Sequence, residues 1–235
     1  MTAIGVTACG DSAVLVVVDG ADPEQSWAVS HALADLVRAA VAPGVLAAIP
    51  TYDRVLVEFD AARTDHATVA ALLRAGYDLL PACPAAARSR RFVIPVVYGG
   101  EYGPDLGLVA EQQGCTPEAL VAMHTGTDLT VRCFGSPAGS PMLDGPAFPL
   151  PVPRLGAPRT RVPAGAAAVA GRQAVVSAKP APGGWAVLGR TPLRVLDLDA
   201  TPPAAYRPGD RVRFRAIAVS EWDRFAGTVL EACDG

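Results

Sequence analysis

The chain is 235 residues long, 51% hydrophobic and 18% charged, which is enough apolar material for one large core or two small ones and too much for a disordered tail. A net charge of −3 gives no long-range attraction toward nucleic acid or an anionic membrane, so neither is expected as a partner. The strongly apolar runs, such as Ala13 to Val18, fall far short of the roughly 20 residues that span a bilayer, and no charged segment precedes an apolar stretch at the N-terminus; a soluble, cytoplasmic protein is expected.

The first third reads as strands alternating with helices. Ala13 to Val18 is rich in β-branched residues and bounded by Gly10-Asp11 and Asp19-Gly20, the mark of a buried strand. Asp22 then offers an N-cap with Pro23 at the first helical position, and Val29, Leu33, Leu36, Val37 and Ala40 recur at helical spacing until Pro43-Gly44. Val45 to Ile49 and Arg54 to Phe59 look like a hairpin pair, and Thr64 is the expected cap of a second helix carrying Val69, Leu72, Leu73 and Leu80. Two helices on one face of an antiparallel sheet make a small α+β domain, residues 1–84.

The segment from Pro81 to Arg91 combines two prolines with a basic cluster, so the linker is placed there. Beyond it, Phe92 to Val97 reads as a strand, Asp105 to Gln113 as a helix ended by Gly114, and Thr116-Pro117-Glu118 opens a second helix reaching His124. Thr127 to Phe134 returns to strand. From Gly135 to Pro163 the chain is so rich in Pro, Gly and Ser that it reads as one long binding loop. Short strands resume at Ala166 to Ala170, Ala174 to Ala178, Trp185 to Leu188, Arg194 to Leu198 and Arg211 to Val219. The second domain, residues 92–235, is therefore mainly β, and a closed barrel would remove its open edges.

Few residues carry obvious chemistry. Five cysteines (Cys9, Cys83, Cys115, Cys133, Cys233) are odd in number and lack C-x-x-C spacing, which fits free thiols in a reducing compartment. His31, His66 and His124 are too dispersed for a metal motif. His124 ends a short helix before Gly126, where the helix dipole tends to raise an imidazole pKa; it is read either as a proton-transfer group or as a capping and packing residue. Arg154, Arg159 and Arg161 are bracketed by Pro153, Pro158 and Pro163, so their guanidinium groups would be held at low entropic cost for a carboxylate or phosphoryl group. They could equally coat a surface loop or pair with acids. Pro182-Gly183-Gly184-Trp185 reads as a turn whose glycines allow positive φ or close ligand approach, with Arg190 following. Tyr98-Gly99-Gly100-Glu101-Tyr102-Gly103 is Gly-rich but has neither the P-loop nor the dinucleotide order.

Taken together, Ile94-Pro95-Val96-x-Tyr98-Gly99-Gly100-Glu101-Tyr102-Gly103-Pro104-Asp105-Leu106, His124, Pro153-Arg154-Leu155-x-x-Pro158-Arg159-x-Arg161-Val162-Pro163-Ala164-Gly165, Pro182-Gly183-Gly184-Trp185-x-x-x-Gly189-Arg190-Thr191-Pro192 and Pro208-Gly209-Asp210-x-Val212-x-Phe214 resemble the allophanate hydrolase subunit 1 family, which includes the B component of bacterial 5-oxoprolinase and a sporulation-kinase inhibitor. The first third matches more loosely, through Gly10-Asp11-x-Ala13-x-Leu15. Three stretches depart from the family pattern. An aromatic-rich run is replaced by Gly135-Ser136-Pro137-Ala138-Gly139-Ser140-Pro141-Met142-Leu143, a Pro-Ala-Gly-Ser by Pro163-Ala164-Gly165-Ala166, and a Gln-Thr-Gly-x-Tyr-Pro by Gln173-Ala174-Val175-Val176-Ser177-Ala178.

The resemblance implies an α+β fold in which a small N-terminal α+β sandwich precedes a cyclophilin-like β-barrel. It implies the work of the B component in an ATP-dependent cyclic-amide hydrolase, a 5-oxoprolinase that opens 5-oxoproline to glutamate. The active site would be shared with the C component, of the allophanate hydrolase subunit 2 family, and the complex would include an A component of different fold. The alternatives are a regulator that binds a histidine kinase and one part of an allophanate or urea-type hydrolase. ATP with Mg would be shared with the partners, and no bound organic cofactor is implied. A lactam resists water until its oxygen is phosphorylated, so preorganised cationic donors are wanted. On this basis His124 and Arg154 are expected to be catalytic, with Arg159, Arg161, Gly183, Gly184, Trp185 and Arg190 binding substrate.

Overall fold

In the computed structural model, which describes residues 2–81 and 89–233, the chain opens on an antiparallel sheet. Contacts divide the chain into two units, Met1–Ala87 and Arg88–Gly235. Most of the expected linker, with Cys83, lies outside the described residues.

The first unit contains β1 (Ala3–Ala8), β2 (Ala13–Asp19), α1 (Pro23–Ala40), β3 (Val45–Pro50), β4 (Arg54–Phe59) and α2 (His66–Asp78). Its strands lie in the order β1-β2-β4-β3. The helix start at Pro23 is as read from the sequence, with the Asp22 side chain accepting the Glu24 N–H at 3.0 Å. The second cap is corrected by one residue: Asp65, not Thr64, takes the Thr68 N–H at 2.8 Å. β1 escaped the sequence reading because Ala3, Gly5 and Ala8 have little strand propensity; it forms by pairing with β2 along its whole length. Both helices cover one sheet face, and Val14, Val16, Val55, Val57 and Phe59 meet Leu33, Val37, Val69 and Leu73 there. Each fully buried leucine contributes about 1.5–3 kcal/mol. The opposite face carries Leu15, Val17, Leu56 and Ile49, all at least partly exposed.

The second unit contains β5 (Arg91–Tyr98), α3 (Leu106–Gln112), α4 (Pro117–Thr125), β6 (Leu129–Gly135), β7 (Ser140–Asp144), β8 (Arg159–Val162), β9 (Ala166–Ala170), β10 (Gln173–Val176), β11 (Ala181–Gly183), β12 (Ala186–Arg190), β13 (Arg211–Ala216) and α5 (Trp222–Phe225). Seven strands close a barrel in the order β10-β7-β6-β13-β5-β12-β9, while β8 and β11 form a separate ribbon. The last strand, β13, sits between β5 and β6, parallel to the former and antiparallel to the latter.

Two readings of this unit are corrected. The stretch from Gly135 to Pro163 is not one loop but contains β7 and β8, whose tertiary pairing overrides weak local propensity. Arg194 to Leu198 is not a strand; it makes one isolated bridge, Arg194 to Val229. The Gly-rich run after β5 is structural. Gly99 and Gly100 sit at φ +71° and +54°, and a Cβ on Gly103 would lie 1.8 Å from the Leu188 carbonyl oxygen, so only glycine lets this turn press against β12. Among the described residues no helix is long and apolar enough to cross a membrane.

Candidate functional site

β9 reads Ala166-Ala167-Ala168-Val169-Ala170 and is buried throughout. Side chains alternate across a strand, so Ala167 and Val169 enter the barrel core while Ala166 and Ala168 join Val162, Val175 and Val187 in a second cluster outside it. Methyl groups on that outer surface leave space. Between the outer surface of β6, β7, β10 and β9 and the β8–β11 ribbon lies a groove of about 370 Å³, at the small end of ligand-binding cavities.

The groove is mostly apolar, lined by Phe134, Met142, Val162, Ala168, Val175, Pro182 and Trp185 with Ser136, Ser177 and Cys133. A slip in register between Val131 and Cys133 turns the thiol out of the barrel core and into the lining. Burial pushes that thiol up to about 11, so it is neutral near pH 7. Arg154 is the charged residue of the lining. Its loop is pinned on one side by reciprocal backbone bonds between Val152 and Gly171, at 2.8 and 2.6 Å, and on the other by the Leu155 N–H donating to Gly184 at 2.8 Å. The guanidinium makes no ion pair or hydrogen bond among the described residues. Together with Trp185 it also borders a more open hollow of about 520 Å³ floored by Ala170, Gly171 and Gln173.

Of the residues read from the sequence, Arg154, Gly183, Gly184 and Trp185 come together in this groove. The glycines do so without a positive-φ turn: Gly183 is a strand residue of β11, where a Cβ would come within 3.2 Å of the Val162 side chain on β8. The other candidates lie elsewhere. Arg159 offers both terminal nitrogens to Asp105 at 2.8 and 2.7 Å, and Asp105 also accepts the Val187 N–H at 2.7 Å. That clamp ties β8 to the start of α3 and to β12, and explains why Asp105, at the helix N-cap, makes no capping bond of its own. Arg161 is exposed on β8 and does not line the groove. Arg190 donates from Nε to the Ala164 carbonyl at 2.9 Å and lies over Trp222. The proline-bracketed arginines therefore do not form one cationic cluster.

The expected raised pKa of His124 is also corrected. Its side chain is fully buried, stacked on Phe214 with ring centroids 4.4 Å apart, and hydrogen-bonded through Nδ1 to the Tyr98 hydroxyl at 2.6 Å. Burial drives its pKa down to about 3; desolvation outweighs the helix dipole because no water reaches the ring. His124 is a neutral core residue, away from the groove lining. Sequence reading missed Cys133, Met142 and Ser177, whose exposure to the groove depends on strand pairing and a bulge, and Asp105, whose partner is distant in sequence.

The family model for the carboxyltransferase domain, subdomain C and D, matches residues 4–206. The B component of 5-oxoprolinase from Bacillus subtilis (strain 168) is 32% identical over 235 residues, covering 92% of this chain and 93% of the relative. The crystal structure of TTHA0988 is similar with TM-score 0.75 and 34% identity over 88% of this chain but only 40% of that longer one. The Kluyveromyces lactis urea amidolyase shares the fold, with TM-score 0.82 at 16% identity over 99% of this chain and 16% of that one.

Proposed function

Because the chain belongs to the carboxyltransferase-domain family, subdomains C and D, which takes in the allophanate hydrolase subunit 1 proteins and the B component of 5-oxoprolinase, we propose that it is the B component of a cytoplasmic ATP-dependent 5-oxoprolinase working with C and A components. The observation that carries this reading is the single guanidinium of Arg154 at the edge of a small apolar groove. A lactam ring with one carboxylate matches that pattern. The carboxylate pairs with Arg154, the ring lies against Trp185 and Met142, and Gly183 and Gly184 complete the wall of the groove.

The groove does not fit Mg-ATP by itself. It offers one cation to a triphosphate, and among the described residues no three His, Cys, Asp or Glu side chains gather as a metal site. ATP is accordingly assigned to the partner components, and this chain's contribution is to bind and orient the lactam. In this reading His124 serves the packing of the barrel core: it does not line the groove, and burial holds its ring neutral.

The test is reconstitution. Co-purified with its C and A partners, the chain should support phosphate release that depends on 5-oxoproline. Arg154→Gln should raise KM about 10–100-fold, the worth of one charge-assisted hydrogen bond, while the complex still assembles. No turnover in the complete complex overturns the reading, as does an unchanged KM in the variant.

A further inference from the structure

The open face of the first unit's sheet is built for company. In antiparallel sheets with one wet face, that face normally reads polar. Here the residues pointing away from the helices include Leu15 and Val17 on β2, Leu56 on β4 and Ile49 on β3, with Ile49 45% exposed. Register places Thr7, Leu15, Leu56 and Ile49 in one row across all four strands. On β4 that row is flanked by Arg54 on one side and Glu58 on the other, both exposed. The ion pair that Arg54 makes is a loose 4.0 Å contact with its neighbour Asp53, and Glu58 has no partner among the described residues.

This pattern, positive, apolar, negative along one strand, is its own complement. Let a two-fold axis run along the Leu15–Leu56–Ile49 row, in the plane between two stacked sheets. Each leucine then meets its own copy, and Arg54 of one sheet faces Glu58 of the other, twice. An isologous contact requires this kind of self-complementarity, and two aligned sheets pack about 10 Å apart with their side chains interdigitated. We propose that this sheet face docks against the same face of a second copy of the chain, with Leu15, Leu56 and Ile49 at the centre and reciprocal Arg54–Glu58 pairs fixing the register.

Four strands about 4.8 Å apart and about 3.4 Å per residue give each copy a face of roughly 400 Å² before side-chain relief. Over both copies that is roughly 800 Å², below the size of stable interfaces and in the range of weak, transient ones, so association no tighter than the micromolar range is expected. Sedimentation velocity on the full chain, from about 1 to about 300 μM, reads this directly: the sedimentation coefficient should rise from monomer to dimer across the series. Leu56→Glu should hold the chain monomeric at the top of the range. Arg54→Glu and Glu58→Arg should each weaken association at least about tenfold by setting like charges face to face, and the double swap should restore it. Leu56, Arg54 and Glu58 are all at least partly exposed, so circular dichroism should report an unchanged fold. A wild-type chain that stays monomeric throughout overturns the proposal. So does dimerisation indifferent to the single reversals, or a double swap that fails to recover association.

Discussion

Lowering the pH from 7 to 5 should destabilise the second unit through one side chain. Burial holds the His124 imidazole at about 3, against 6.5 for the free side chain. Below 6.5 the unfolded chain therefore takes up a proton that the fold refuses, and stability present above that value drains away as the pH falls toward 3. At about 1.4 kcal/mol per pH unit, the loss by pH 5 is about 2 kcal/mol. Carboxylates held below their usual range, such as Asp128 and Asp65, lose their contribution further down, so this window belongs to histidine. The comparison is urea unfolding followed by Trp185 and Trp222 fluorescence, with Trp27 replaced by Phe, in the parent chain and in a Tyr98→Phe/His124→Phe variant. The double change keeps the stack on Phe214 and leaves neither hydrogen-bonding group of the pair orphaned. The variant should lose about 2 kcal/mol less than the parent between pH 7 and 5. Equal losses would mean that the folded imidazole ionises freely, and the packing account of His124 would be wrong.

Two further outcomes follow from the same geometry. Asp105→Asn keeps the shape but removes the charge that Arg159 clamps; because the arginine is about one-third exposed, the expected loss is about 2 kcal/mol rather than the larger cost of a fully buried pair, and a loss under about 0.5 kcal/mol in urea unfolding would refute the clamp. Maleimide labelling read by mass spectrometry should modify exposed Cys9 and Cys233 first, with Cys133 slower by about 100-fold or more because its thiol is buried and its thiolate scarce; 5-oxoproline should slow Cys133 further, and labelling of Cys133 as fast as Cys9, or no protection, would count against the groove as the ligand site.

Local signals in the sequence resolve the parts of the fold that depend on neighbours in the chain. Asp22 and Pro23 announce α1, and Pro117 announces α4, because caps act within one turn. β7 and β8 stay hidden within a Pro/Gly-rich stretch because they exist only through partners supplied by the rest of the barrel. The site divides in the same way. Arg154 and Pro182-Gly183-Gly184-Trp185 are recognisable as blocks, and the structure does bring them to one groove. Arg159 and Arg161 look like companions of Arg154 only because they are near in sequence. A strand and an acidic partner 54 residues away decide that Arg159 is a clamp. The position of His124 at a helix end is readable; its desolvation by Tyr98 of β5 and Phe214 of β13, strands distant in sequence from one another, is not.

The placement of β13 has a consequence for biogenesis. On the ribosome, β5 and β6 emerge long before the stave that must slot between them, so the barrel remains an unclosed hoop with two bare hydrogen-bonding margins until residues past Ala216 are clear of the exit tunnel. The sheet of the first unit closes on neighbours less than 60 residues apart and faces no such wait. Nascent-chain arrest just before Arg211 would thus leave a finished leading half tethered to a sticky, half-built trailing one, the stage at which a chaperone has most to hold.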